Sequence, residues 1–291
     1  MSRVRHFLSL VRFSHSVFAL PFALCGAWLA QGGVPPARVL LLVVLCAVAA
    51  RTAAMAFNRL ADRHIDARNP RTSSRELPSG VLSAAAVAAV VLVASAAFVL
   101  LAFALNPVAG RLALPVLAVL LAYSYVKRFS SAAHFVLGLA LALAPVGAWI
   151  AVRGTLVVPG AVPVLWLGAA VLAWVAGFDL IYACQDVEFD RAEGLHSIPA
   201  RLGVGRALGL SSILHAITLL CLVQVGRGAG LSFIWWCAVL VAGALLAWEH
   251  SLISKDDLSR VDAAFFTVNG WVSVLLFAGL ALDRGVLGGA A

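Results

Sequence analysis

Long apolar stretches separated by short polar breaks dominate the chain. They fall near 15–32, 38–57, 82–105, 111–126, 132–152, 160–183, 208–226, 231–249 and 263–282. Each is close to the roughly 20 residues that a helix needs to cross a bilayer, so the pattern predicts nine membrane-spanning helices. The breaks carry turn chemistry: GGVPPAR at 32–38, NPVAGR at 106–111, RGTLVVPG at 153–160 and GRGAG at 226–230. A transmembrane β-barrel would alternate apolar and polar positions, whereas 39–50 is an unbroken apolar run. The fold class expected is all-α and polytopic, a single domain over 1–291.

Composition sharpens this picture. Of 291 residues, 63% are hydrophobic and 12% charged, against about 45–50% and about 25% in soluble domains. With a mean hydropathy of +1.02, a soluble enzyme, a secreted disulfide scaffold and a disordered chain are excluded. The basic opening MSRVRHFLSLVRFSHS has no small-residue cleavage site after a short apolar core, so it is not read as a removable signal peptide. The five cysteines stand singly in apolar segments, which gives no support to zinc or disulfides.

The net charge of +8 would suit nucleic acid, but its placement follows topology instead. With the N-terminus inside and the spans alternating, fifteen Arg and Lys fall on inside segments and five outside, and Arg51 lies within the second span. That bias is the positive-inside rule. It predicts a multi-pass protein of the inner (cytoplasmic) membrane, with the lipid bilayer as a partner and nucleic acid not.

A faint repeat runs through the chain. Arg12-Phe13-Ser14 recurs as Arg128-Phe129-Ser130, and Gly26-Ala27-Trp28 recurs as Gly147-Ala148-Trp149. An acidic cluster recurs as well, from Asp62 to Asp186. Two pseudo-repeated four-helix halves plus a ninth helix account for this.

Most of the acid lies in two segments on the inside face. Asn58, Asp62 and Asp66 are spaced i, i+4, i+8, so continuation of the second span as a helix puts one amide and two carboxylates on one stripe. Arg51 lies on nearly the same face, about two turns deeper. In the second segment Asp186 and Asp190 are again i, i+4, with Asp179 and Tyr182 on roughly the same side further back and Glu188 pointing elsewhere. Arg71, Arg75, Lys127, Arg128 and Arg201 share that face. Oxygen-only ligands suit Mg²⁺, which keeps waters and is completed by substrate phosphates, and the bases suit the same phosphates. The two acidic pairs therefore read as a Mg²⁺–diphosphate site, and no P-loop points to ATP.

Other acids and bases read as solvated loop charge, including Arg63, Arg68 and Glu193. His15 and His134 read as packed or interfacial groups, and the tryptophans as interfacial anchors. Arg51 and Asp179 lie within apolar spans, where a charge is functional by default, although an ion pair between those spans is the plainer alternative.

These motifs resemble a known family. Asn58-x3-Asp62-x3-Asp66, followed by Asn69-Pro70-Arg71-Thr72 and Arg75, resembles the first signature of the UbiA superfamily of intramembrane aromatic prenyltransferases. Tyr182-Ala183-x2-Asp186-x3-Asp190, with Gly194 and Ser197-Ile198-Pro199, resembles the second, and Tyr123-Ser124-Tyr125-x-Lys127-Arg128 follows span four. Arg59 stands where the family's first motif carries another acid. Within the superfamily the chain is most similar to the 4-hydroxybenzoate polyprenyltransferase-like subgroup, whose members are also linked to futalosine-route menaquinone.

The resemblance implies Mg²⁺-dependent transfer of a polyprenyl group from polyprenyl diphosphate to an aromatic acid, of 4-hydroxybenzoate or dihydroxynaphthoate type, in ubiquinone or menaquinone biosynthesis. Asp62, Asp66, Asp186 and Asp190 would be catalytic, and with Asn58 they would ligate metal. Arg71, Lys127, Arg128 and Arg201 would bind diphosphate. Arg51, Asp179 and Tyr182 would bind the acceptor. The rival from another class is an ion-coupled membrane transporter, whose acids would lie near the midplane instead of at one face.

Overall fold

The computed structural model describes residues 18–287, whose regular elements are all helices, with no strand among them. The long helices are α1 (Leu20–Gln31), α2 (Ala37–Arg68), α3 (Ala84–Leu105), α4 (Pro107–Val126), α5 (Ala133–Arg153) and α6 (Val162–Ala183). Two short ones follow, α7 (Val187–Ala192) and α8 (Ile198–Leu202), and then α9 (Val204–Ala229), α10 (Phe233–Ser251) and α11 (Asn269–Leu282). A 3₁₀ turn (Cys184–Asp186) links α6 to α7, and a π-helical turn (Ala263–Val268) leads into α11. Among the described residues eight helical segments are long and apolar enough to cross a membrane, and α1 is a shorter apolar helix. The expected nine spans thus correspond to nine helices, the first beginning at Leu20. Arg12-Phe13-Ser14, His15 and the start of the first span lie outside the described residues.

The helix ends follow from local chemistry. The side chains of Ser83, Asn106 and Ser197 accept the orphan backbone N–H groups that begin α3, α4 and α8. Gly32, Gly154 and Gly230, all at positive φ, close α1, α5 and α9.

The most buried span is α6, packed between α5 and α9, with Leu167, Trp174, Leu180 and Ile181 almost wholly enclosed. Small residues permit the closest approaches: a Cβ on Gly138 of α5 would lie 2.5 Å from the Leu172 carbonyl of α6. The outer surface is apolar, with Leu92, Val93, Leu100, Leu220 and Leu240 each more than 60% exposed. A soluble monomer would not tolerate so much apolar exposure, and lipid contact accounts for it.

Two helices matter most for chemistry. The second, α2, runs eleven residues past the expected span, carrying Asn58, Asp62 and Asp66 on one unbroken stripe. The helix of the second motif does not run on in the same way. It breaks at the 3₁₀ turn, so Asp186 belongs to that turn and Asp190 to α7. The single helical stripe expected for Asp186 and Asp190 is therefore corrected: both acids keep one side by turning the chain.

Candidate active site at one end of the helix bundle

The residues that connect α2 to α3, α4 to α5 and α6 to α9 meet at one end of the bundle over a cavity of about 310 Å³. Asn58, Asp62, Asp66, Arg71, Lys127, Asp179, Tyr182, Asp186, Asp190 and Arg51 all line it. Both acidic pairs therefore converge, although they come from different halves of the chain.

On the first motif the carboxylates are almost fully enclosed, with side-chain exposures of 3% for Asp62 and 8% for Asp66. Lys127 Nζ lies 2.5 Å from Asp62 Oδ2, and Arg128 reaches Asp62 Oδ1 at 3.4 Å. The Asn58 amide donates to Asp62 at 3.2 Å and to Ser124 at 3.3 Å. Asp66 accepts from Arg75 at 2.8 Å. Its other oxygen, Oδ2, is buried without a hydrogen bond and stands 3.9 Å from Arg59. The arginine that replaces an acid at position 59 thus faces the second carboxylate of its own helix.

On the second motif, Arg71 binds Asp186 through two nitrogens, Nε at 3.0 Å and a terminal nitrogen at 2.5 Å, and its remaining nitrogen donates to the Tyr182 hydroxyl at 2.9 Å. Asn69 adds a bond to Asp186 at 3.1 Å. Burial works against the Arg71 charge, but the hydrogen bonds and charge of Asp186, with Tyr182, hold its pKa above the ordinary value. Asp190 lines the same cavity as Ser197 and Lys127.

Two expected diphosphate residues stand apart from the cavity. Arg128 approaches Asp62 from behind, its guanidinium fixed by the Ala61 carbonyl at 2.6 Å, and is not on the cavity wall. Arg201 is exposed on α8, because that helix turns Ile198 and Pro199 into the protein. The sequence reading missed Arg59 and Arg75 as contacts of Asp66. It also read His134 as a packed or interfacial group with no part in the site, whereas His134 is buried, lines the cavity and contacts Asp179 at 2.6 Å. Aromatic rings of Phe18, Phe178, Phe265 and Phe266 complete the wall. Tyr182 and Phe265 stand 4.3 Å apart between ring centres.

Among the described residues no three His, Cys, Asp or Glu side chains are grouped closely enough to hold a metal by themselves. A cation that fills its coordination with water and substrate phosphate fits such a site, and the orphaned Asp66 oxygen is a donor to offer it. Deeper in the bundle lies a second cavity of about 480 Å³, lined mainly by apolar side chains of α2, α4 and α5. Arg51, Met55, Tyr123, Leu137 and Leu141 line both cavities and form the boundary between them.

The model of the UbiA prenyltransferase family matches residues 19–272. The chain belongs to the UbiA prenyltransferase family. It is an integral, multi-pass membrane protein and a prenyltransferase, and family membership displaces the transporter alternative. Among the curated relatives of this UbiA member is the 4-hydroxybenzoate octaprenyltransferase of Nitrosomonas europaea, 32% identical over 89% of this chain and 87% of that protein. Among solved structures, an apo UbiA homologue from Aeropyrum pernix K1 superimposes with a TM-score of 0.84 at 33% identity, covering 92% of this chain and 98% of that one. A UbiA homologue from Archaeoglobus fulgidus bound to GPP and Mg²⁺ shares the fold, with a TM-score of 0.73 at 22% identity, covering 94% of this chain and 98% of that one.

Proposed function

We propose that this UbiA member, acting as one domain, transfers a polyprenyl group from polyprenyl diphosphate to an aromatic carboxylic acid with the help of Mg²⁺. The observation that carries this reading is the convergence of Asp62, Asp66, Asp186 and Asp190 with Arg71 and Lys127 on one cavity that adjoins a larger apolar one. The Archaeoglobus homologue bound to GPP and Mg²⁺ supports the donor and the metal. Similarity to a 4-hydroxybenzoate octaprenyltransferase supports a hydroxybenzoate acceptor over the dihydroxynaphthoate of the menaquinone route.

Asn58, Asp62 and Asp66 would hold one Mg²⁺, and Asp186 and Asp190 another. Bound there, the metal neutralises the charge that develops on the leaving diphosphate. Arg71 and Lys127, now paired with the acids, turn to the diphosphate oxygens when these enter, with Arg128 steadying Asp62 from behind. Arg201 would act on the incoming diphosphate only from outside the cavity. Arg51 has a buried Nε without a hydrogen-bond partner at the boundary of the two cavities. Such an unpaired cation fits the acceptor carboxylate. Tyr182 and Asp179 face the acceptor ring, and the aromatic wall keeps water from the allylic carbon. The isoprenoid tail occupies the apolar cavity.

The bundle end that holds the site also holds most of the Arg and Lys, which supports a cytoplasmic orientation in the inner membrane. The test is incubation of membranes carrying the protein with octaprenyl diphosphate, Mg²⁺ and labelled 4-hydroxybenzoate or 1,4-dihydroxy-type naphthoate. Coupling to the benzoate that EDTA abolishes supports the proposal. Coupling to the naphthoate alone replaces the acceptor, and no product with either ring rejects it.

A further inference from the structure

His134 and Asp179 form a hydrogen-bonded pair in the cavity wall whose direction the surroundings fix. His134 is the second residue of α5 and its side chain is 5% exposed; Asp179, on α6, is 24% exposed. The close approach of α5 to α6 at Gly138 brings the two elements together. His134 Nδ1 lies 2.6 Å from Asp179 Oδ2. On the opposite edge of the ring, the backbone N–H of Ile198 donates to Nε2 at 3.4 Å. A ring nitrogen that accepts from an amide carries no proton, so the neutral imidazole bears its proton on Nδ1 and donates it to Asp179. One Asp179 oxygen is thereby tied down. The other has no hydrogen-bond partner among the described residues, and the carboxylate lines the cavity together with Arg51 and Tyr182.

We infer that His134 is a positioning residue that aims Asp179 at the hydroxyl of the aromatic acceptor. The inference rests on the acceptor class proposed above. As the allylic carbon–oxygen bond breaks, its electron pair leaves on the diphosphate. The ring carbon beside the hydroxyl bonds to the allylic carbon, and the hydroxyl proton passes to Asp179. The ring C–H proton is then lost to the departing diphosphate, and Asp179 returns its proton to the ring oxygen. One proton leaves with the diphosphate, aromaticity is restored, and Asp179 ends as it began.

The test uses purified full-length protein, with kcat and KM measured per folded molecule for both substrates. His134→Asn keeps an amide N–H where Nδ1 stands, whereas His134→Gln puts its amide at the Nε2 position and leaves Asp179 without its donor. The expected result is a kcat loss of about 10- to 100-fold in H134Q, less than the roughly 10²- to 10⁴-fold that a general base supplies, because Asp179 itself remains. H134N falls by less than about 3-fold on the same scale, and KM for the prenyl diphosphate is unchanged in both. Asp179→Asn combined with H134Q should be no slower than Asp179→Asn alone, because a residue acting through another adds nothing once that one is gone.

Equal losses in H134N and H134Q, a change confined to the diphosphate KM, or additive effects in the double variant would overturn the inference. If H134N does not fold, the H134Q and Asp179→Asn cycle decides alone. A wild-type enzyme that couples neither ring overturns the proposed function and this inference together. A coupling wild type with an additive cycle overturns the inference only.

Discussion

Asp62 and Asp66 ride one turn apart on the last stretch of α2, whereas Asp186 closes a 3₁₀ turn and Asp190 sits inside a separate six-residue helix. The spacing is identical in sequence and the backbone is not. On α2 the helix itself fixes the relation between the two carboxylates, and it carries them into nearly complete burial, where Lys127 and Arg75 neutralise them. In the second half the relation depends on a loop pinned from outside by Arg71 and Asn69, which belong to the first half. One motif is pre-formed by secondary structure. The other is assembled by tertiary contact.

The largest expected effect tests what the two share. Asp62→Ala and Asp186→Ala should each lower turnover by more than about 100-fold, since loss of supporting partners alone costs roughly 10- to 100-fold at a metal site. Steady-state rates per folded protein check this. Near-normal turnover in either variant would remove that acid from the site.

A smaller effect separates the halves. Arg71 is the guanidinium that ties the loop after α2 to Asp186 and Tyr182. Breaking such a charge pair costs about 2 kcal/mol or more, so Arg71→Ala should raise KM for the prenyl diphosphate by about 30-fold. An unchanged KM would mean that the second acid needs no support from the first half.

Smaller again is Asn58→Ala. The helix would keep Asp62 in place, and the variant would lose one neutral oxygen ligand together with the amide's bonds to Asp62 and Ser124. At about 1 kcal/mol net per bond, the Mg²⁺ concentration for half-maximal activity should rise by about 5- to 30-fold. A loss as large as that of Asp62→Ala would show that the amide, not the helix, organises the first motif.

The mildest consequence concerns motion. Hydrogen exchange should be slower in 58–68 than in 184–203, because a continuous helix opens less readily than a 3₁₀ turn and two short helices. Adding Mg²⁺ with a non-hydrolysable prenyl diphosphate should protect 184–203 more than 58–68. Equal protection would erase the contrast.

The same contrast explains what was legible in the chain. The spans announce themselves because a bilayer demands runs of apolar residues of one length. Asn58, Asp62 and Asp66 are equally legible because helical periodicity continues through them without a breaker. At Cys184–Asp186 no proline or glycine marks the break, so a stripe was expected where the chain turns. Arg201 counted as a site residue because charge and sidedness are readable, while the direction of a five-residue helix is not. His134 was hidden for another reason. Its partner is 45 residues away, and the contact depends on how closely α5 settles on α6, as at Gly138. The Arg75–Asp66 contact was likewise set by how the loop after α2 folds back, whereas Arg59 and Asp66 stand seven residues apart on α2 itself, a helical spacing that the chain does display.

The central claim is that acids from both halves converge on one diphosphate through a divalent cation. The most direct measurement is a structure of the protein with Mn²⁺ and a prenyl thiolodiphosphate, using the anomalous signal to locate metal. The account predicts manganese bound at Asp62 and Asp66 and at Asp186 and Asp190, with one diphosphate bridging the two sets and its tail in the apolar cavity. A diphosphate bound away from one acid pair, or metal held by neither, would contradict it.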